Sequence, residues 1–292
     1  MDKIDKYFNE FLDFLEHNEI CKGDIVYVGS DVSGILLGAR RELDIKDRPS
    51  QNMFLNRLID TLQIAVGNEG TLLFPNFTWA FCRGEVFDFR KTHGEIGVLN
   101  NFILENRKDF LRTRHPIYNF MVWGKNATLL SAIDNQDSWG KDSPFAYLYE
   151  HHGKQINLNV PFNKCITFQH YVEQCINAPY RYKKFFMGKY VDENGNELER
   201  IYSMFVRDLA ISSSPYLPEE FFVDSHAARV DFFHEYKVIF MKLDDIYYCI
   251  KNDLLNNKGK HIYHFIDYEP DWNCQNTHRK EIKLNEEMTI EI

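Results

Sequence analysis

The chain has 292 residues, 44% of them hydrophobic and 15% aromatic, enough to bury the core of one large α/β domain. A formal net charge of −9 argues against nucleic acid or an anionic membrane surface as a partner. Residues 1–5 carry no signal-peptide core and no apolar run reaches membrane-spanning length, so the expectation is a cytoplasmic protein.

In chain order, residues 2–20 place Ile4, Tyr7, Phe8, Phe11, Leu12, Phe14 and Leu15 at helical spacing, which predicts an amphipathic opening helix. Ile25-Val-Tyr-Val28 reads as a buried strand running into a small-residue loop, Gly29 to Gly34, where an open α/β sheet places ligands. A helix over 52–66, a second buried strand from Gly70 to Phe74, a helix over 97–106, a strand near 118–123 and a helix over 144–151 continue the alternation. From about Tyr180 the texture changes. Residues 185–191 and 199–206 form a predicted hairpin around Asn194-Gly195, residues 226–233 and 236–242 a second antiparallel pair, and 243–255 a helix. The expectation is a single α/β domain over 1–292. A largely parallel central sheet carries a ligand-binding core over about 20–180, and an antiparallel part follows over about 181–292.

The stretch Phe162-Asn-Lys-Cys-Ile-Thr-Phe-Gln-His-Tyr-Val-Glu173 holds the residues of most chemical interest. Thr167 is placed as an N-cap, and His170 and Glu173 fall on one helical face. A histidine near a helix start with a carboxylate one turn on suits a neutral base near physiological pH. Glu173 is one candidate to orient it; Glu219, Glu220, Asp224 and Asp231 could also reach from the C-terminal part. Cys165, five residues before His170, raises a thiol nucleophile as an alternative. The six cysteines (Cys21, Cys82, Cys165, Cys175, Cys249 and Cys274) form no C-x-x-C pair, and H-E-x-x-H is absent, so no metal is indicated. No G-x-G-x-x-G follows a strand and no Walker loop occurs.

Four segments stand in a specific order: Gly23-Asp-Ile-Val-Tyr-Val-Gly-Ser-Asp31; Gly70-Thr-Leu-Leu-Phe-Pro-Asn-Phe-Thr78; Phe87-Asp-Phe-Arg90 with Gly97 and Arg112-Thr-Arg-His-Pro-Ile-Tyr-Asn119; and Asp142-Ser-Pro144 with Thr167 to Glu173. Together, over roughly residues 20–210, they resemble the aminoglycoside 3-N-acetyltransferase family, whose fold is distinct from that of the GNAT acetyltransferases. The resemblance implies acetyl transfer from acetyl-CoA to an amine of an amino sugar, either an aminoglycoside or a nucleotide-linked sugar of surface-polysaccharide synthesis. It implies that His170 is the catalytic base, with Thr167 and Glu173 completing its T-x-x-H-x-x-E pattern. It also implies cofactor contacts at Gly29, Ser30, Thr78, Arg112, Thr113, His115 and Asn119. The chain departs from the family pattern at Gly29, Asp31, Asn76 and Asn119.

A sugar ammonium must lose its proton before it can attack a thioester, and the oxyanion formed next needs donors, for which the N–H groups of Gly29 and Ser30, or Thr167, are candidates. The Arg181–Phe186 segment is basic and aromatic; it reads as a solvated strand edge, or as a holder for a CoA phosphate or an anionic sugar nucleotide. Two rival functions remain at this point: a non-catalytic CoA- or sugar-binding protein of the same fold, and an acyl hydrolase using Cys165.

Overall fold

The computed structural model describes residues 2–208, 213–215, 217–265, 271–272, 281–284 and 288–291. Its strands in chain order are β1 (Ile25–Ser30), β2 (Thr71–Pro75), β3 (Phe87–Asp88), β4 (Leu111–Arg112), β5 (Phe120–Gly124), β6 (Lys154–Leu158), β7 (Arg181–Val191), β8 (Glu197–Arg207), β9 (Ser213–Pro215), β10 (Ala228–Phe233), β11 (Tyr236–Lys242), β12 (Tyr263–Phe265), β13 (Glu281–Leu284) and β14 (Met288–Glu291). The helices are α1 (Lys3–His17), α2 (Val32–Glu42), α3 (Arg48–Val66), α4 (Val98–Asn106), α5 (Ala127–Ala132), α6 (Pro144–Glu150), α7 (Gln169–Cys175), α8 (Glu219–Asp224) and α9 (Leu243–Asn256). Among the described residues no helix is long and apolar enough to cross a membrane.

The main sheet has the order β10-β11-β6-β1-β2-β5-β4. β6, β1 and β2 pair in parallel, and the flanking pairs are antiparallel, so β5 and β11 run against the other five strands. The expected α/β class therefore holds, with the strictly parallel pairing confined to the centre. The predicted 226–233 and 236–242 pair is not a separate unit. Its strand β11 joins β6 from Val238 opposite Leu158 to Lys242 opposite Lys154 and extends the sheet.

Side-chain alternation in the strands creates two cores. Val26, Val28, Leu72, Phe74, Ile156 and Leu158 face one layer with α1 to α4, while Tyr27 and Leu73 face the layer that holds α6, α7 and α9. On this second face β6 presents Gln155 and Asn157, both fully buried. Polar residues at the sheet centre need partners, and their position underlies the site described below.

Local differences from the sequence expectation have simple causes. The stretch after β1 is a turn, not an extended loop: α2 begins at Val32, and the Asp31 carboxylate caps it by accepting from the Ser33 N–H at 3.1 Å. Helix α3 starts four residues early, at Arg48, because Asp47 and Ser50 form a reciprocal capping box and Pro49 is tolerated in the first turn. The hairpin β7–β8 is longer than expected and pairs in register from Arg181 opposite Arg207 to Val191 opposite Glu197. Asp192 closes its tip by accepting from the Asn194 and Asn196 N–H groups, and Gly195 takes the positive φ of 89° that the turn requires.

Candidate active site

The segment beyond β6 is held from below. The Gln155 amide donates to the Cys165 carbonyl at 2.6 Å, and the Cys165 thiol donates to the Phe162 carbonyl at 3.0 Å, fixing the turn Phe162–Lys164. Helix α7 follows. Its N-cap position is Phe168, with no side-chain cap, which corrects the assignment of Thr167 as the cap. The Thr167 side chain instead lies beside the buried Tyr27 of β1. The Thr167 carbonyl accepts from the His170 N–H at 3.0 Å. One residue thus ties the sheet centre to the first turn of the helix that carries the histidine.

Glu173 is completely buried. Its Oε1 accepts from the Gln169 amide at 2.9 Å and from the Tyr180 hydroxyl at 2.8 Å. Its Oε2 lies 2.8 Å from His170 Nδ1 and 2.7 Å from Arg181 Nε. Burial works against ionisation, but the Arg181 charge and the hydrogen bonds outweigh it and hold the carboxyl at about 2. An ionised carboxylate accepts only, so His170 carries its proton on Nδ1 and the lone pair on Nε2. Arg181 Nη2, 3.0 Å from the same Nδ1, finds its acceptor in the Tyr263 hydroxyl at 3.0 Å. Burial first, and then the Arg181 charge, push the His170 pKa below its ordinary value, with Glu173 opposing in part. The imidazole is therefore neutral at physiological pH.

Trp139 packs edge-to-face on the His170 ring at a centroid distance of 5.1 Å. The histidine keeps 29% of its side chain exposed and opens onto a cleft of about 320 Å³ lined by Asn163, Lys164, Thr167, Arg181, Arg207 and Tyr263, among others. Of the competing carboxylates, Glu219 pairs with Lys237 at 2.7 Å and Asp231 accepts from Asn18 at 3.0 Å. Glu173 is the carboxylate in contact with His170. The Cys165 thiol is buried, and its pKa is pushed up by that burial, the reverse of what a thiolate nucleophile needs.

The other residues singled out in the sequence lie elsewhere. Gly29 sits in β1 where an added Cβ would stand 2.3 Å from Asn157 Oδ1, so any larger residue there would displace the buried Asn157 side chain of β6. Ser30 ends β1 with its hydroxyl buried and unpartnered. Thr78 donates to Glu95 at 2.9 Å and accepts from the Ala80 N–H at 3.2 Å. Thr113 accepts from the Phe120 N–H at 2.9 Å. His115 is buried, its Nδ1 accepts from the N–H groups of Ile117 and Tyr118, and burial drives its pKa down to about 3. Asn119 accepts from Arg112 at 2.8 Å through Oδ1, while its Nδ2 has no partner.

Arg112 also donates to the carbonyls of Phe89 and Thr92, both at 2.7 Å, and lies 4.8 Å over the Phe87 ring. Arg112, braced by Asn119, clamps the 87–94 segment onto β4 and β5, Thr113 ties β4 to β5, and none of the three lines the His170 cleft. Arg112→Ala is accordingly expected to lower unfolding free energy by about 2–4 kcal/mol, since the carbonyls of Phe89 and Thr92 lose their donor and Asn119 Oδ1 keeps only the Asn76 amide at 3.3 Å. Urea denaturation measures this, and calorimetry on the folded fraction should show CoA affinity unchanged. A variant of normal stability with weakened CoA binding would make Arg112 a cofactor contact and not a clamp.

With the geometry in hand, comparison with known proteins is informative. The sequence profile of the aminoglycoside 3-N-acetyltransferase family matches residues 49–252, and the chain belongs to that family. It is therefore an acetyltransferase whose co-substrate is acetyl-CoA. No curated protein matches it by sequence. Among solved structures, the aminoglycoside acetyltransferase AAC(3)-Xa is similar at 18% identity and a TM-score of 0.67, over 85% of this chain and 92% of that one. The aminoglycoside acetyltransferase AAC(3)-IIb gives 20% identity and 0.66, over 90% and 98%. AAC-IIIb in a binary complex with CoASH gives 19% and 0.65, over 86% and 95%. At these identities the likeness is one of fold.

Sequence reasoning missed Gln169, Tyr180, Tyr263 and Trp139, and it read Arg181 as part of a solvated strand edge. Arg181 is buried against Glu173. The spacing of Gln169 and Glu173, four apart on one helix face, was a usable signal. Trp139 and Tyr263 reach the site only through the tertiary fold.

Proposed function

We propose that the chain, acting as one catalytic domain in the cytoplasm, transfers acetyl from acetyl-CoA to an amine of an amino sugar, with His170 as general base. The observation that carries this reading is the Glu173–His170 pair at 2.8 Å beside an open cleft. Glu173 holds the proton on Nδ1, so Nε2 is free to take a proton from the sugar ammonium. The neutral amine then attacks the acetyl carbonyl and the new C–N bond forms; the C–S bond breaks, the imidazolium returns its proton to the departing thiolate, and the second proton on the new nitrogen passes to solvent, leaving a neutral amide, CoASH and neutral His170. Thr167 lines the cleft next to His170 and is the side chain best placed to steady the oxyanion. Ser30, a buried hydroxyl with no partner at the end of β1, fits a contact to the pantetheine arm. Relatives named as aminoglycoside acetyltransferases support an amine-bearing sugar as acceptor.

The direct test is a thiol-release assay with acetyl-CoA against aminoglycosides, free amino sugars and nucleotide-linked amino sugars. Release that depends on an added amine, with intersecting double-reciprocal lines, is the expected result. Release without any amine would instead indicate a hydrolase. CoA binding with no release for any acceptor would indicate a binding protein.

A further inference from the structure

Nδ1 of His170 stands between an acceptor and a donor. Glu173 Oε2 lies 2.8 Å from it on the same helix, and Arg181 Nη2 reaches to 3.0 Å from β7. The two neighbours call for opposite forms of the ring. The carboxylate accepts a proton from Nδ1, which leaves the lone pair on Nε2. The guanidinium donates to a lone pair on Nδ1, which puts the proton on Nε2. Only the first form leaves Nε2 able to take a proton from an amine. A third group bears on the choice. The Tyr263 hydroxyl of β12 accepts from the same Nη2 at 3.0 Å, while Nη1 donates to the Phe205 carbonyl at 3.0 Å and Nε faces Glu173 at 2.7 Å. With Tyr263 in place every nitrogen of the guanidinium meets an oxygen, and Nδ1 is left to Glu173. Tyr263 lies beyond residues 49–252, the stretch that the family profile matches.

We propose that Tyr263 is a positioning residue that selects the tautomer of His170: its hydroxyl draws the Arg181 N–H away from Nδ1 and so reserves that nitrogen for Glu173. This rests on the reading of His170 as the base. In this role Tyr263 acts through Arg181 and not on the reacting atoms. Its ring is buried and packs against Tyr180 at a centroid distance of 4.6 Å and against Phe265 at 5.7 Å, contacts that a phenylalanine would keep. Removing the hydroxyl alone leaves Arg181 Nη2 with His170 Nδ1 as the acceptor already within reach, and the ring is then drawn toward the form with its proton on Nε2.

The test is long-range proton–nitrogen NMR of the full chain and its Tyr263→Phe variant, at a pH where the ring is neutral, with the His170 signals assigned by their absence from His170→Ala. The wild type is expected to show a protonated Nδ1 and a bare Nε2, and the variant to shift toward a protonated Nε2. Amine-dependent thiol release should fall about tenfold in kcat, since a hydrogen bond to a charged group shifts an equilibrium by about that factor, while melting temperature and the calorimetric affinity for CoA hold. A merely structural tyrosine would lower the melting temperature and leave the ring spectrum unmoved, which would overturn the proposal. Weaker CoA binding at an unchanged kcat would also overturn it, by making Tyr263 a ligand contact. The two readings fail separately. A lower kcat with an unchanged ring spectrum removes the tautomer role and leaves His170 as the base. A changed spectrum with wild-type kcat removes His170 as the base and leaves the hold of Tyr263 on the ring.

Discussion

His170→Ala is expected to lower kcat by roughly two to four orders of magnitude while CoA affinity stays near that of the wild type. The base acts only as the amine attacks, so its loss appears in the chemical step and not in cofactor binding. Fold stability should change little, because Glu173 keeps its contacts with Gln169, Tyr180 and Arg181 after the ring is removed. The wild-type pH profile carries a second signature. Burial and Arg181 lower the His170 pKa, so the base is in its active, neutral form down to a pH below the ordinary histidine range. The rate should rise with pH through an apparent pKa lying below that range. Above it, only the ionisation of the acceptor amine should add further dependence. A folded variant that turns over at a near wild-type rate at neutral pH would remove His170 from the mechanism.

Glu173→Gln is expected to have the largest combined effect on stability and rate. The substitution leaves the buried Arg181 guanidinium without its ion-pair partner, a change that costs about 3–5 kcal/mol in comparable settings. It also releases the constraint that keeps the proton on His170 Nδ1, and a loss of roughly 10²–10⁴ in kcat follows from the wrong tautomer.

The pH dependence of stability has a definite sign. The folded Glu173 carboxyl is depressed to about 2 from an ordinary value of 4.5. Its contribution is therefore fully present above pH 4.5 and is lost as pH falls toward 2. Urea unfolding between those values should show the wild type losing stability more steeply than the variant. Equal slopes, together with an unchanged kcat, would show that the carboxylate neither supports the fold nor orients the base.

Much of the architecture was legible because it depends on local pattern. The apolar spacing of α1, the Ile25-Val-Tyr-Val28 strand and the Asn194-Gly195 turn are short-range signals, and each element formed where its pattern placed it. The helix starts were less legible. The Asp47–Ser50 capping box carried α3 into a stretch that read as loop, and α2, capped by Asp31, was not anticipated at all, because side-chain hydrogen bonds decide such boundaries.

Arg112, Thr113, His115 and Asn119 form a compact motif in the sequence, while in the fold Arg112 meets Asn119 and His115 packs against Ser138 and Tyr202. Nothing in their order distinguishes a ligand contact from a clamp. The structure adds that Arg112 holds the carbonyls of Phe89 and Thr92, which belong to a different segment, and a cofactor contact at these residues is a matter for the CoA calorimetry.

By itself the sequence determined the alternating α/β order, the family resemblance, and the placing of His170 and Glu173 on one face of one helix, since three-residue spacing on a helix brings two side chains together wherever the helix sits. Only the tertiary structure decided which carboxylate serves the histidine and what holds that carboxylate ionised. Arg181 enters from β7, Tyr263 from β12 and Trp139 from the loop before α6. A buried charge is stable only when partners from separate parts of the chain converge on it, and that convergence is set by how the strands and helices pack and not by their order.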